Sequence, residues 1–141
     1  MLVIYNTCKL TKIMNMKKQI KDVKTFHDSF GIKNLDSPSL NNESFNLRYK
    51  LMKEENDEYL NACKDGDIVE IADALGDMMY ILCGTILSHG LQHKIEEVFE
   101  EIQSSNMSKL GVNGKPILRE DGKILKGPNY FKPNILNILK K

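Results

Sequence analysis

Six carboxylates in the middle of the chain fall into two groups whose types and spacing could bind a metal ion. They are Glu54, Glu55 and Glu58, followed by Glu70, Asp73 and Asp77. Carboxylates on helix faces that turn inward are costly to bury unless a cation or another partner compensates their charge. Ligand sets made only of oxygen select hard ions such as Mg²⁺ or Mn²⁺. The pattern therefore indicates a divalent metal site, with Mg²⁺ as the expected cofactor and Mn²⁺ as an alternative.

Helical periodicity predicts that the two groups lie on neighbouring helices, one from about Ser44 to Cys63 and one from Ile68 to Ser88. At about 100° per residue, Glu55 and Glu58 fall on the inward face of the first helix. The second group forms one stripe about 60° wide on a helix so apolar that we expect it to be buried on most sides. The connection between the helices is tight, so we expect antiparallel neighbours whose acidic faces meet.

Two simpler explanations compete with a metal site. Asp67 and Glu70 match the capping-box pattern, so Glu70 could satisfy backbone amides of its own helix. The first group could equally belong to a solvated charge run. Against this, Asp73 and Asp77 lie among apolar residues, where solvation is hard to arrange. We therefore favour metal binding, with the expected ligands Glu55, Glu58, Glu70, Asp73 and Asp77.

The histidines do not indicate another kind of metal site. A helical di-iron site would normally include Glu-x-x-His pairs, and no histidine here has an acid three residues before it. His27 and Asp28 form an isolated doublet without the supporting histidines of a His-Asp phosphohydrolase. We interpret His27 as a surface or core residue.

The remaining pattern predicts an all-α fold of four to five helices with a short C-terminal hairpin or tail. Further helices are expected from Lys17 to Phe30 and from Leu91 to Gln103, and a short last helix from Pro133. Asp121-Gly122 lies between two apolar dipeptides and predicts a small hairpin. We expect oligomerisation through the helices, because one set of four would not cover the apolar third helix on all sides.

Composition places the chain among ordinary soluble domains. The 141 residues carry a net charge of +1, so whole-chain charge favours no polyanionic partner, and we expect neither nucleic acid nor a membrane as partner. The apolar run Met78 to Leu87 is too short to span a bilayer. Three scattered cysteines fit free thiols in the cytoplasm. We expect residues 1–15 to be a flexible extension and residues 16–141 to be one domain.

Four blocks in fixed order carry a family resemblance. They are LMKEENDEYLNA, EIADALGDMMYILCGT, EEVFEEIQSSNMSKL and DGKILKGPNYFKP, covering about Phe45 to Pro133. Together they resemble the MazG-like all-α nucleoside triphosphate pyrophosphohydrolases, and the similarity extends to phosphoribosyl-ATP pyrophosphohydrolases. The resemblance implies Mg²⁺-dependent cleavage between the α- and β-phosphates of a nucleotide, giving a monophosphate and pyrophosphate.

The resemblance also assigns roles within the first acidic group. The family's E-x-x-E pair falls on Glu55 and Glu58, with Glu54 as the frequent extra acid. Ions held by such carboxylates can neutralise and orient a triphosphate and lower the pKa of a bound water that attacks phosphorus in line. Glu54 or Glu55 is the expected catalytic base that accepts the proton of this water.

The second acidic group matches the family less fully. The E-x-x-D pair falls on Glu70 and Asp73, and Asp77 matches the last acid of an alternative L-G-D frame. Ala74 stands where many members have the Glu of that frame. Which of these three acids bind the metal directly stays open.

The glycine-rich tail supplies cations that could contact phosphates. The expected contacts are Lys109, Lys123 and Lys126. Similarity adds Asn106 to the substrate-binding residues, whereas we interpret Lys115 and Arg119 as solvated loop charges.

The expected substrate is a nucleoside triphosphate, bound by a homodimer or homotetramer. Phosphoribosyl-ATP ranks second, because the DGKILKGPNY tail resembles the MazG-like branch more closely. A third hypothesis is a helical dimerisation module that binds nucleotide without turnover.

Overall fold

Five α-helices and the turns between them make up the part of the chain that the computed structural model describes, residues 16–141. The helices are α1 Met16–Ser29, α2 Phe45–Asp65, α3 Ile68–Ser88, α4 Ile95–Met107 and α5 Ile135–Lys140. This confirms the predicted all-α class. The predicted flexible extension, residues 1–15, lies outside the described residues.

Helices α2 and α3 form an antiparallel pair joined by a very short turn, as predicted. Gly66 ends α2 in the left-handed conformation, with φ of 68°. Glycine suits this position because the conformation is strained for a residue with a side chain. Asp67 then begins α3 by accepting hydrogen bonds from the Val69 and Glu70 amides at 3.0 and 3.2 Å. The turn therefore places the C-terminal half of α2 beside the N-terminal half of α3.

Polar contacts at the other end of the pair set the helix register. The hydroxyl groups of Ser44, which precedes α2, and Ser88, which ends α3, are 3.0 Å apart. One turn further in, Arg48 of α2 lies against Gly84 of α3. Each step of four residues along α2 thus corresponds to four residues backward along α3.

The apolar core lies between α1 and the C-terminal half of α3. Its buried members are Ile20, Val23, Cys83, Ile86 and Leu87. The first two recur at helical spacing on α1, which explains why that amphipathic segment packs on α3. Met16, Leu91 and Ile95 pack against this cluster, so the start of α4 is attached to the same end of the molecule.

A loop from residue 33 to residue 44 crosses the C-terminal end of α3 and satisfies its free carbonyl groups. The Leu35 amide donates to the Leu87 carbonyl at 3.0 Å, and the Asn41 side chain donates to the Ser88 carbonyl at 3.1 Å. The Ser39 amide donates to the His89 carbonyl at 3.0 Å. These contacts replace the hydrogen bonds that the last turn of a helix lacks.

The prediction that α3 is buried on most sides is wrong for its N-terminal half. Ile68 and Val69 are 72% and 70% exposed, and Leu75 is half-exposed. The N-terminal half buries Ala74, whereas most of the core residues of α3 come from its C-terminal half, which packs on α1. By length and composition alone α3 could cross a membrane, with a hydropathy of 1.3. Its core packing and its acidic stripe identify it as the central helix of the bundle.

The C-terminal segment has the predicted hairpin and final helix. The Arg119 amide donates to the Lys123 carbonyl at 2.9 Å across Gly122, and an isolated antiparallel bridge joins Leu118 and Ile124. Helix α4 begins at Ile95 rather than at the predicted Leu91, because residues 91–94 form a turn of their own. Cys63 and Cys83 are free thiols as expected, and Cys8 lies outside the described residues.

Candidate active site

Glu55 lies at the centre of the two acidic groups. Its side chain is half-buried on the face of α2 that packs on α3. Burial raises its pKa, and the negative charges of nearby carboxylates raise it further. In order of effect these carboxylates are Glu58, Asp77, Asp73 and Glu54. The antiparallel pair thus brings Glu55 close to Asp73 and Asp77, as the helical wheel predicted, and Glu70 is not among the carboxylates with the largest effect on its pKa.

One carboxylate oxygen of Glu55 is unsatisfied. Its Oε2 atom is buried and has no hydrogen-bond partner among the described residues. An ionised carboxylate oxygen in that position is destabilised unless a donor or cation reaches it. A divalent cation bound between α2 and α3 would meet this need, so the donor set fits a metal ion of the hard, oxygen-preferring type.

The other acids of the site are exposed, which corrects the expectation that Asp73 and Asp77 are difficult to solvate. Glu54, Glu58 and Glu70 are exposed as well. Across residues 16–141, no three acidic, histidine or cysteine side chains already converge as a metal cage. The carboxylates therefore face one another across the helix pair without forming a closed coordination shell, and rotation of side chains would be needed to complete one.

Charge pairing separates the site acids from the other acids of α2. Lys53 pairs with Asp57 on the outer side of the helix. Within the described part of the chain, the side chains of Glu54, Glu55, Glu58, Glu70, Asp73 and Asp77 form no ion pair or hydrogen bond. The solvated charge run thus accounts for Asp57, while the acids that face α3 keep uncompensated negative charge.

Only one of the two interactions of the predicted capping box is formed, the one that Asp67 makes. Asp67 caps α3, but its own amide donates to the Ala62 carbonyl at 3.0 Å. That amide is the group which a capping-box glutamate would accept from. The carboxylate of Glu70 therefore remains free of the cap and open to another ligand.

The tail residues form a unit of their own. Lys109 Nζ donates to Asn106 Oδ1 at 2.7 Å, and Lys126 Nζ lies 4.4 Å from the centre of the Tyr130 ring. Every hydrogen bond and ion pair described for residues 108–133 is formed within residues 104–133. Helix α4 packs on α5, without comparable packing on α2 or α3. The described contacts therefore do not bring Lys109, Lys123 or Lys126 to the acids.

Arg48 is a buried residue of this helix pair that the sequence analysis did not single out. It lies seven residues before Glu55, on the same side of α2, and is 8% exposed. Its helical spacing with Leu51 and Glu55 on the inward face of α2 was the available signal.

Comparison with known proteins identifies the family. The sequence model of the family described as "Phosphoribosyl-ATP pyrophosphohydrolase" matches residues 23–106, which are 84 of the 141 residues. The chain belongs to this family. The match, within the MazG-like superfamily, runs from α1 into α4 and contains all six site acids and Asn106. It stops before the three tail lysines.

A solved structure agrees with this assignment. The crystal structure of a candidate NTP pyrophosphohydrolase from Exiguobacterium sp. 255-15 is similar to this chain, with 25% identity and a TM-score of 0.50. The match covers 86% of this chain and 94% of that one. No protein of curated function matches the chain. Family and structural neighbour together identify a pyrophosphohydrolase, a hydrolase that acts on pyrophosphate bonds.

Proposed function

We propose that this family member is a Mg²⁺-dependent nucleoside triphosphate pyrophosphohydrolase, which cleaves the bond between the α- and β-phosphates and releases pyrophosphate. The observation that carries the proposal is the unpaired acidic face, with its buried and unpartnered Glu55 oxygen. A site with uncompensated negative charge would repel a bare triphosphate, so the substrate must arrive with divalent cations. The NTP described for the Exiguobacterium neighbour supports this choice of substrate.

Five acids are proposed to bind the metal, and one of them, Glu55, is also proposed as the catalytic base. Glu55 and Glu58 on α2, and Asp73 and Asp77 on α3, are the proposed metal ligands, with Glu70 as a further ligand one turn before Asp73. Bound Mg²⁺ would neutralise the polyphosphate and acidify an attacking water. A carboxylate that is not fully committed to the metal can accept the proton of that water, and Glu55 is the proposed base. Glu54, exposed beside it, is the alternative base.

The tail lysines are proposed to contact the phosphates of the substrate. Lys126 is held by the Tyr130 ring and Lys109 by Asn106, so their ammonium groups have defined positions on the tail. Because the described contacts do not place them over the acids, substrate or a second copy must bring the two parts together. Charge complementarity between a basic tail and an acidic face favours that encounter.

We also propose that the chain forms a homo-oligomer, a homodimer or homotetramer. Exposed apolar side chains on the N-terminal half of α3, among them Ile68, Val69 and Leu75, lie beside the acidic stripe, and contiguous apolar patches often mark interaction surfaces. A second copy is the proposed cover because the acidic face of one chain and the lysine tail of another are complementary in charge.

Phosphoribosyl-ATP is the second candidate substrate, favoured by the description of the matching family. Purified protein with Mg²⁺ should be incubated with a panel of NTPs, dNTPs and phosphoribosyl-ATP, and pyrophosphate measured. Release of pyrophosphate from an NTP or dNTP is the expected result. Preference for phosphoribosyl-ATP would reassign the substrate, and release of single phosphates would overturn α–β cleavage.

The matched pair of variants for this experiment is Glu55→Gln and Asp57→Asn. Both remove one negative charge from the same stretch of α2, but only Glu55 faces α3, whereas Asp57 pairs outward with Lys53. Glu55→Gln should lose activity while Asp57→Asn keeps it. Tight nucleotide binding with no product in the wild-type protein would instead favour a non-catalytic binding module.

A further inference from the structure

A buried guanidinium lies in the contact between α2 and α3 without an acidic partner among residues 16–141. Arg48 Nε donates to Thr85 Oγ1 at 3.1 Å, and Nη2 donates to the Ile81 carbonyl at 2.9 Å. Burial lowers the pKa of Arg48. Burying a charge that is compensated only by neutral groups costs free energy, so the packing of the pair would be better served by an apolar residue. The position of Arg48 between the two helices indicates a role in their alignment.

Gly84 provides the space that Arg48 occupies. A Cβ atom at Gly84 would lie 2.5 Å from Arg48 Nη2 and 2.9 Å from His27 Nε2, so both side chains would have to shift to admit it. Glycine here lets the guanidinium approach α3 closely, and its backbone conformation is ordinary helix. One residue from each of α1, α2 and α3 meets at this point, which we call the Arg48 junction: His27, Arg48 and Gly84.

His27 is held in one orientation at the junction. Its Nδ1 lies 2.6 Å from Asn34 Oδ1, and the amide nitrogen of Asn34 donates to Asp28 Oδ1 at 3.2 Å. Since the Asn34 amide nitrogen is turned to Asp28, its oxygen faces the imidazole and accepts a hydrogen bond from the Nδ1–H group. Nε2 is then the ring nitrogen on the side of Gly84. His27 is thus a core residue, as one of the two sequence interpretations had it.

The Arg48 junction is two helical turns from the acidic site on both helices. Arg48 and Glu55 are seven residues apart on α2, and Gly84 and Asp77 are seven residues apart on α3. Seven residues span about 10.5 Å and return nearly to the same face. In an antiparallel pair, seating Arg48 on Gly84 therefore sets Glu55 opposite Asp77. A slip of one residue would rotate the facing side chains by about 100° and separate the carboxylates.

We propose that Arg48, seated on Gly84, is a positioning residue for the acidic site: it fixes the α2–α3 register in which Glu55 and Asp77 can share a divalent cation. Its donors bond only α3, and Gly84 admits it at a single height along that helix. The inference rests on the proposed metal-dependent function.

Substitutions from either helix test the proposal. Arg48→Met keeps the length and removes the donors, and Gly84→Ala displaces the guanidinium from the opposite side. The control is Val23→Ala, which truncates a core residue of α1 without touching the α2–α3 contact. Each protein is assayed by Mn²⁺ calorimetry and by the Mg²⁺ dependence of turnover, at a temperature where unfolding curves show it folded.

Arg48→Met and Gly84→Ala are expected to bind Mn²⁺ at least about tenfold more weakly and to need correspondingly more Mg²⁺, whereas Val23→Ala retains wild-type affinity at a comparable loss of stability. Arg48→Lys, which keeps a cationic donor, should recover part of the loss. Combining Gly84→Ala with Arg48→Met should add little to either alone, because both remove one contact. Wild-type Mn²⁺ affinity in Arg48→Met would overturn the proposal.

A readout without metal separates this inference from the proposed function. Cross-helix nuclear Overhauser contacts around Glu55 should shift or weaken in Arg48→Met and remain in Val23→Ala. Unchanged contacts would overturn the positioning role. A wild-type protein that binds no Mn²⁺ would count against the proposed function, and the cross-helix contacts would then still decide whether Arg48 sets the register.

Discussion

Glu55 is the residue at which stability and catalysis are expected to conflict. Burial and neighbouring negative charges raise its pKa, so the ionised side chain is disfavoured in the fold. Glu55→Gln should therefore raise the urea midpoint of the metal-free protein at pH 7. The same change should lower turnover by at least about a hundredfold, because a ligand and candidate base is lost. Added Mg²⁺ should raise the melting temperature of the wild-type protein but not of Glu55→Gln.

The stability effect of Glu55→Gln should depend on pH with a definite sign. The folded-state pKa of Glu55 is raised above its unfolded value of about 4.3, so the protonated form favours the fold. The contribution of protonated Glu55 to the free energy of unfolding is fully present below the unfolded pKa and is lost as the pH rises through the raised folded-state pKa. The gap between the two proteins should be widest near pH 7 and should narrow near pH 4. A gap that does not change over this range, measured by urea unfolding, would contradict the raised pKa.

Lys126 gives a second test at a single residue. Lys126→Gln removes a proposed phosphate contact while leaving the hairpin intact, so KM should rise by about tenfold or more, the scale of one charge-assisted hydrogen bond. Lys115→Gln is the matched control, because Lys115 is interpreted as solvated and should leave KM nearly unchanged. Steady-state kinetics at saturating Mg²⁺ compares them, and equal effects of the two substitutions would remove Lys126 from the site.

Sequence reasoning identified the facing carboxylates but not their environment. The wheel placed Glu55 opposite Asp73 and Asp77 because helical spacing and a short turn suffice for that inference. It could not find the exposure of Asp73 and Asp77, since an apolar sequence around a residue does not say which neighbours cover it. Arg48 was missed for a related reason: its importance depends on Gly84 of another helix, which spacing along one helix cannot reveal.

At the scale of one helix, the start of α3 should depend on Asp67. Its carboxylate accepts from two free amides of the first turn, so Asp67→Ala should lower the free energy of unfolding by about 1 kcal/mol. Asp65→Ala removes the same charge two residues earlier without removing the cap and should cost less. Urea unfolding followed by circular dichroism measures both, and an equal loss would show that net charge, not the cap, is responsible.

The helix limits were predictable where a local signal ends each element, and less so elsewhere. Gly66 and Asp67 fixed the α2–α3 turn closely, because glycine and a capping aspartate act through neighbouring backbone groups. Helix α4 was expected four residues too early, since Leu91 is apolar and fits the helical period. It instead packs on the core from a turn, which only the tertiary structure determines.

The whole molecule leaves apolar surface that self-association would cover. Val69→Glu places a charge on the most exposed part of α3 and should shift sedimentation at fixed concentration from oligomer toward monomer. Val112→Glu is the control, because Val112 is 85% exposed in the tail turn, away from that helix. A monomeric wild-type protein, or an oligomer indifferent to Val69→Glu, would contradict the proposed cover of α3.

The self-contained bonding of the tail has a consequence for how substrate is captured. Since every described hydrogen bond of residues 108–133 stays within residues 104–133, a movement of the tail together with the last turn of α4 would break none of them. The hairpin and its lysines would then move as a rigid body that is already ordered before nucleotide arrives. Such preorganisation means that closure costs little conformational entropy, so affinity can be set by the polyphosphate contacts themselves.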